Sequence, residues 1–329
     1  MRQFDYVRAT AIDEAIELVA GDPGAAYLAG GTTLLDLMKD GVLSPRRIVD
    51  VTRLPLRGID HAGGTVTVGA LTTMEELAAE PTLADRVPVL RQALLAGAST
   101  QLRNMATIGG NLLQRARCRY FRDPTVGACN KRIPGSGCAA VDRSARMHAV
   151  LGADRTCIAV HASDLAVALV ALDAVVRIHG PAGTRRVPLN RFYRLPGGSP
   201  QRENVLEHGE LITAVDIPLP ARPTASGYLK IRDRASYEFA LVSVAAELDL
   251  RDGIIHDARL ALGGVGTVPW RATGAERILR GGRPGRELFR DAATASLQNT
   301  FTVPGTAFKV ELARRAIERA LDDVSGGTS

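Results

Sequence analysis

The chain has 329 residues, 46% hydrophobic and 23% charged, an ordinary composition for a folded soluble chain with length for two or three domain cores. Aromatics make up only 4%, with one Trp, which leaves little material for a sugar- or base-stacking platform. The formal charge of +6 comes from scattered arginines rather than a basic helix or finger, so nucleic-acid binding is not expected, and no apolar run is long enough to span a bilayer.

The N-terminal part alternates helix and strand. Thr10 is a candidate N-cap with Asp13 three residues on, and Ile12, Ala15, Ile16 and Val19 form one apolar helical face that Gly21 ends. Ala25 to Ala29 reads as a short buried strand, and Gly30-Gly31-Thr32-Thr33 as a turn into a helix over Leu34 to Lys39. Glycines at such a turn let the backbone approach a ligand, and successive N–H groups suit an anion such as a pyrophosphate. The turn is neither a Walker loop, which needs Gly-Lys-Ser/Thr, nor the G-x-G-x-x-G pattern; a plain tight turn is the bland alternative. Strands are expected over Arg47 to Val51 and Thr65 to Gly69, and helices over Met74 to Ala79 and Val89 to Ala98. A second glycine turn, Thr107-Ile108-Gly109-Gly110-Asn111, invites the same reading.

From Gln114 to Cys157 the apolar periodicity fades, and Pro124, Pro134, Gly127, Gly135 and Gly137 interrupt the chain. All four cysteines, Cys118, Cys129, Cys138 and Cys157, fall here, with gaps of ten, eight and eighteen residues. So long an irregular stretch needs an organiser, and a metal centre is one. Four thiolates suit zinc or an iron–sulfur cluster equally in number, and the gaps match neither a zinc ribbon nor a bacterial ferredoxin; four unrelated buried thiols are the remaining alternative. Arg115, Arg117, Arg119, Lys131 and Arg132 are expected to depress the thiol pKa values and offset a cluster's charge, or to form a basic docking face. His148 and His161 read as structural.

Ser163-Asp164 reads as a helix cap, with a helix through Leu172 and a strand from Ala174 to Ile178; the Asp164 carboxylate is also placed to hydrogen-bond a ring or ribose. The Pro-rich run 218–227 marks a domain boundary, dividing the chain into residues 1–221, with 114–157 as an insertion, and residues 222–329. Beyond it, Lys230 to Phe239 carries alternating charge that suits an exposed strand face or a cation beside an electron-rich ring. Strands are expected over Tyr237 to Leu250 and Ala258 to Gly263, and Leu312, Ala316, Ile317, Ala320 and Leu321 form the stripe of a C-terminal helix. Neither a Ser–His–Asp set nor HExxH stands out, so a hydrolase has no support.

Taken together, AGGTTLLDLMK from Ala29, TIGGN from Thr107 and ALGGVGTVPWRA from Ala261 resemble the FAD-binding medium subunits of the xanthine dehydrogenase family of molybdenum hydroxylases, along the whole chain. The run from Thr107 to Leu169 is most similar to the flavin subunit of bacterial periplasmic aldehyde oxidoreductases.

The resemblance implies an α+β fold: an FAD-binding PCMH-type domain of two subdomains, then a small C-terminal α/β domain like that of CO dehydrogenase flavoproteins. It implies FAD contacts from Leu28, Ala29, Gly30, Gly31, Thr32, Thr33 and Leu34, from Thr107, Gly110 and Asn111, and from Asp164 and Lys230. It implies a [4Fe–4S] cluster on Cys118, Cys129, Cys138 and Cys157, with zinc on a structural subunit and a vestigial flavin site as the alternative. It implies a large molybdenum-cofactor partner that oxidises an aldehyde, a small partner with two [2Fe–2S] clusters, and an external electron acceptor. It implies a periplasmic setting. The run Met1 to Arg8 lacks the apolar stretch of a secretory signal, so export with a partner is expected, or else a cytoplasmic setting.

Overall fold

The computed structural model describes residues 1–326, so the last three residues of the expected C-terminal unit, 327–329, lie outside the described residues. The chain begins with β1 (Asp5–Arg8), α1 (Ile12–Ala20), β2 (Ala25–Leu28), α2 (Leu34–Lys39) and β3 (Arg47–Asp50). The three strands pair in parallel in the order β1-β3-β2. Parallel neighbours need crossovers, which α1 and α2 supply. Helix α1 buries Ala15, Ile16 and Val19 against this small sheet, the face expected from the sequence. Its start differs from expectation. Ala11 is the N-cap, and Thr10 is held from the helix side, donating its N–H and its hydroxyl to the Glu14 carboxylate at 2.7 Å each.

A second unit carries β4 (Ile59–Ala62), β5 (Thr65–Gly69), the helices α3 (Met74–Ala78), α4 (Pro81–Arg86), α5 (Pro88–Ala96), α6 (Thr100–Arg103), α7 (Ile108–Leu112), α8 (Arg119–Arg122) and α9 (Asp164–Ala171), then β6 (Val175–Gly180), β7 (Gly183–Pro188) and β8 (Leu211–Pro218). Its five strands form an antiparallel sheet in the order β4-β5-β8-β6-β7. Helix α5 starts one residue earlier than expected, with Pro88 at its first position. It stops at Ala96 because Gly97 is extended, and Ala98 then turns left-handed at φ 52°. Every residue of α9 from Leu165 to Ala171 is buried, because the helix is packed against α5 and against the C-terminal sheet. An all-apolar helix of this kind is a core element of the whole molecule rather than an amphipathic cover.

The C-terminal unit contains β9 (Ala225–Ile231), β10 (Val242–Arg251), β11 (Ile254–Gly263) and β12 (Trp270–Arg271), antiparallel in the order β12-β11-β10-β9, with α10 (Thr273–Leu279), α11 (Arg286–Ser296) and α12 (Phe308–Ser325). Strands β10 and β11 are joined through Asp252 and Gly253, both left-handed, the pair a tight hairpin requires. Ala313, Ala316, Ile317, Ala320 and Leu321 of α12 are buried in this unit's core, close to the stripe expected.

One expected strand does not form where it was placed. Tyr237 to Leu241 is loop, and β10 begins only at Val242. Tyr237 sits at φ 51°, outside strand geometry. Arg232 and Arg234 fold back onto the loop, donating to the carbonyls of Ala235, Ser236 and Tyr237. Arg232 and Arg234 thus close a loop on itself, while Lys230, the first of these charges, sits on β9.

Candidate functional site

The first glycine turn leaves β2 and enters α2. Gly30 packs so closely on the neighbouring chain that a Cβ would lie 1.9 Å from the Met105 carbonyl oxygen. Only glycine lets these two backbones meet. The first turn of α2 uses Gly31 and Thr33 as acceptors, for Leu35 and Leu37 at 3.1 and 3.0 Å. Among the described residues, the N–H groups from Gly30 to Leu34 have no acceptor of their own. Five consecutive donors therefore remain available beside a cavity of about 220 Å³. Ala29 to Leu34, Thr107 and Gly110 line that cavity, and most of its remaining wall is apolar.

The second glycine turn differs. Gly109 donates to Ala70 O (2.9 Å), Ile108 to Thr72 O (2.9 Å), Gly110 to the Thr107 hydroxyl (3.2 Å) and Asn111 to Thr107 O (2.8 Å). Two of these N–H groups hold the turn against Ala70 and Thr72, and two close it on Thr107. The two glycine turns look alike in sequence, yet only the first offers a run of free donors; the second contributes a close surface and a side chain, Asn111.

That side chain lines an adjoining cavity of about 250 Å³, which shares Thr32 and Thr33 with the first. Asp164 and Lys230 also line it, brought from positions 66 residues apart. Their ion pair is 2.8 Å long, and the side chains are only 10% and 5% exposed. Lys230 also donates to Ala96 O (3.0 Å), and the Tyr228 hydroxyl donates to the other Asp164 oxygen (2.7 Å). Burial, reinforced by that carboxylate, pushes the Tyr228 phenol well above its ordinary pKa, so it stays a donor. Ser163 caps α9 through Ala166 N and donates to the Asn111 side-chain oxygen at 2.6 Å, which ties the second turn to Asp164. Of the expected contact residues, Leu28 lines neither cavity; its carbonyl is used by Val51 in the sheet. Met74, Gly97, Arg117, Tyr237 and Phe239 line the second cavity without having been expected there. Phe239 is covered by the Arg117 guanidinium at 5.1 Å, a contact no local pattern announces.

The cysteine segment lies beside this second cavity. Cys118 packs against three small apolar clusters, one with Cys138, one with Cys129 and one with Cys157, and so forms their hub. Cys129 and Cys138 pair across an isolated antiparallel bridge, closed by Asn130 N to Gly137 O (2.8 Å) and Gly137 N to the Asn130 side chain (2.8 Å). The Asn130 amide donates to Thr156 O at 2.8 Å, reaching the turn that bears Cys157. All four thiols are free of disulfides. Among the described residues, no three His, Cys, Asp or Glu side chains stand close enough to share one ion. Four thiols gathered around one hub, in a segment with little regular structure, fit the donor set of a multi-iron cluster, which spreads its ligands around a larger body than a single ion.

Burial outweighs the lowering expected from the basic residues, which at Cys157 comes from Lys131. Burial pushes Cys118 up to about 12 and Cys157 up to about 11. The cations are committed elsewhere: Arg117 and Arg122 bond Asp36 of α2 at 2.9 and 2.7 Å, and Arg115 and Lys131 bond Glu203 at 2.5 and 2.8 Å. Arg132 donates to the carbonyls of Tyr120 (2.7 Å), Phe121 (2.8 Å), Asp123 (2.9 Å) and Val126. These five staple the segment to its surroundings, while the exposed Arg119 lies over the Tyr120 ring at 6.0 Å. His148 is closer to the chemistry than the sequence suggested, with Nε2 3.2 Å from the Cys118 sulfur. Among the described residues, no helix is long and apolar enough to cross a membrane.

Comparison with known proteins agrees along the chain. Residues 2–220 match the FAD binding domain in molybdopterin dehydrogenase, and residues 227–324 match the CO dehydrogenase flavoprotein C-terminal domain. The aldehyde oxidoreductase FAD-binding subunit PaoB of Escherichia coli is 47% identical over 324 residues, covering 98% of each chain. The glyceraldehyde dehydrogenase medium chain of Sulfolobus acidocaldarius is 30% identical, over 89% of this chain and 86% of that one. Among solved structures, a carbon monoxide dehydrogenase chain from Hydrogenophaga pseudoflava superposes with a TM-score of 0.78 at 26% identity, covering 99% of this chain and 98% of that one.

Proposed function

The chain belongs to the FAD-binding subunits of the molybdopterin dehydrogenase family, and from that premise we propose that it is the flavin and [4Fe–4S] electron-transfer subunit of a molybdenum-dependent aldehyde oxidoreductase. The observation that carries the flavin part is the pair of adjoining cavities joined at Thr32 and Thr33, one edged by free backbone donors and the other by a buried ion pair. In this reading Ala29 to Leu34, with Thr107 and Gly110, hold the pyrophosphate, while Asn111, Asp164 and Lys230 orient the ring end. Cys118, Cys129, Cys138 and Cys157 hold the cluster; the convergence of the other three around Cys118 supports this. When bound, the flavin supplies exchange between iron–sulfur carriers and an external acceptor, and the cluster supplies a further one-electron site.

This chain's part is to bind and orient. The Gly30 loop presents dipoles to an anion, and the Asp164–Lys230 pair, fixed by Tyr228 and Ala96, keeps a donor and an acceptor in set directions at low solvent exposure. Aldehyde oxidation belongs to a large molybdenum-cofactor subunit, and electrons arrive through a small subunit with two [2Fe–2S] clusters. The 47% identity to an aldehyde oxidoreductase subunit supports the aldehyde oxidoreductase part of that assignment. We further propose a periplasmic setting, reached with a partner.

The test is an absorption spectrum of anaerobically purified protein, with iron, zinc and acid-labile sulfide measured on the same sample. Flavin bands with about four iron and four sulfide per chain are expected, the count a four-cysteine cubane requires. Flavin without iron would remove the cluster from the proposal, and zinc without sulfide or flavin would overturn both parts.

A further inference from the structure

The first cavity has two ionic side chains in its lining, Glu210 and Arg115. Glu210 is spent, held by both Nε and a terminal nitrogen of Arg185 at 2.6 Å. Arg115 is not. Its Nε donates to Glu203 at 2.5 Å, and its guanidinium carbon lies 4.7 Å over the Phe121 ring, but among the described residues its terminal nitrogens have no acceptor. Glu203 is a half-buried carboxylate, its side chain 21% exposed. Burial works against its charge, yet Lys131 and Arg115 outweigh that and hold it below the usual carboxylate range. Lys131 lies two residues from Cys129 and grips Glu203 at 2.8 Å and Pro200 O at 3.1 Å.

Resting on the flavin reading above, we propose that Arg115 is the cation that receives the dinucleotide's pyrophosphate. Glu203, anchored by Lys131 of the cysteine segment, is the positioning residue that aims it. A pyrophosphate brings two negative charges into a largely apolar cavity whose glycine loop offers only neutral N–H donors. Burying such charge without a cation is costly. Arginine suits the task because its planar fork can give Nε to one carboxylate and still present its terminal N–H groups to phosphate oxygens. A lysine can bond Glu203 and a second acceptor but lacks the planar fork, so it can supply only part of this.

The test compares FAD with riboflavin, which lacks the phosphates, by fluorescence titration of the full-length chain after flavin removal. Arg115→Met is expected to weaken FAD binding about ten- to a hundredfold while riboflavin binding stays within about twofold, the scale of a lost charge-assisted hydrogen bond. Arg115→Lys should restore part of the FAD affinity. Glu203→Gln, which keeps its size, should weaken FAD several-fold and leave riboflavin unchanged, a split that a general packing defect would not give. Wild-type FAD affinity in Arg115→Met, or equal loss of FAD and riboflavin in both the Arg115→Lys and Glu203→Gln variants, would overturn the proposal. Failure of the unaltered chain to bind FAD at all would overturn the flavin reading and this inference together.

Discussion

The glycine-loop cavity and the cysteine segment are neighbours built on opposite plans. The cavity is framed by sheets and helices that pair much of their backbone, with a run of free N–H groups at Gly30 to Leu34 among the described residues. The cysteine segment has one short helix, and its order comes from side chains bonding backbone: Arg132 to four carbonyls, Asn130 to Gly137 and Thr156, Lys131 to Pro200. A regular frame pairs most of its backbone groups with one another. An irregular segment must be assembled contact by contact.

The contrast can be broken most strongly from the cavity side. Lys230→Met leaves the Asp164 carboxylate buried without its cation, and a loss of about 3–5 kcal/mol is expected in urea unfolding. A loss under a quarter of that would mean water reaches the pair freely. Next in size is Gly30→Ala. Its methyl group meets the Met105 carbonyl, so overpacking of about 2–3 kcal/mol should accompany a fall in flavin occupancy, read from the absorbance ratio of the purified chain. Full occupancy at unchanged stability would show that the two backbones part easily.

From the other side, Arg132→Ala strips a donor from the carbonyls of Tyr120, Phe121 and Asp123, at a cost of about 1–3 kcal/mol. Limited proteolysis should then cut within residues 118–138 while flavin occupancy holds; cutting elsewhere first would deny the segment its separate order. The smallest effect is one of pH. Burial holds the His161 imidazole down at about 4, so the folded chain keeps it neutral where the unfolded chain protonates it. Stability therefore falls as pH drops from about 6.5 toward 4. Between pH 7 and pH 6 this one group accounts for about 0.7 kcal/mol. His161→Gln should flatten that part of the urea midpoint profile, and an unaltered slope would assign it to other groups.

Much of the frame was legible because it is local. The apolar face of α1, the Leu34–Lys39 helix and the stripe of α12 follow from residue spacing, and the structure has them. The Tyr237–Leu241 stretch misled because its residues suit a strand, whereas Tyr237 is left-handed and Arg234 bonds the Ser236 and Tyr237 carbonyls. The expected thiol acidification was outweighed because burial, which residue spacing does not show, raises Cys118 and Cys157 even though Lys131 lowers Cys157.

By itself, the sequence determined that two glycine turns, a cysteine-rich interruption and the residues Asp164 and Lys230 exist, and which short elements surround them. Only the tertiary structure decided which of two similar turns keeps free donors, that Asp164 and Lys230 form one buried pair, and that Arg115 faces a cavity with unspent hydrogen bonds. The reason is physical. Helix and strand propensity act over a few residues, whereas the satisfaction of a donor or a charge is settled by whichever partner the whole chain brings within reach.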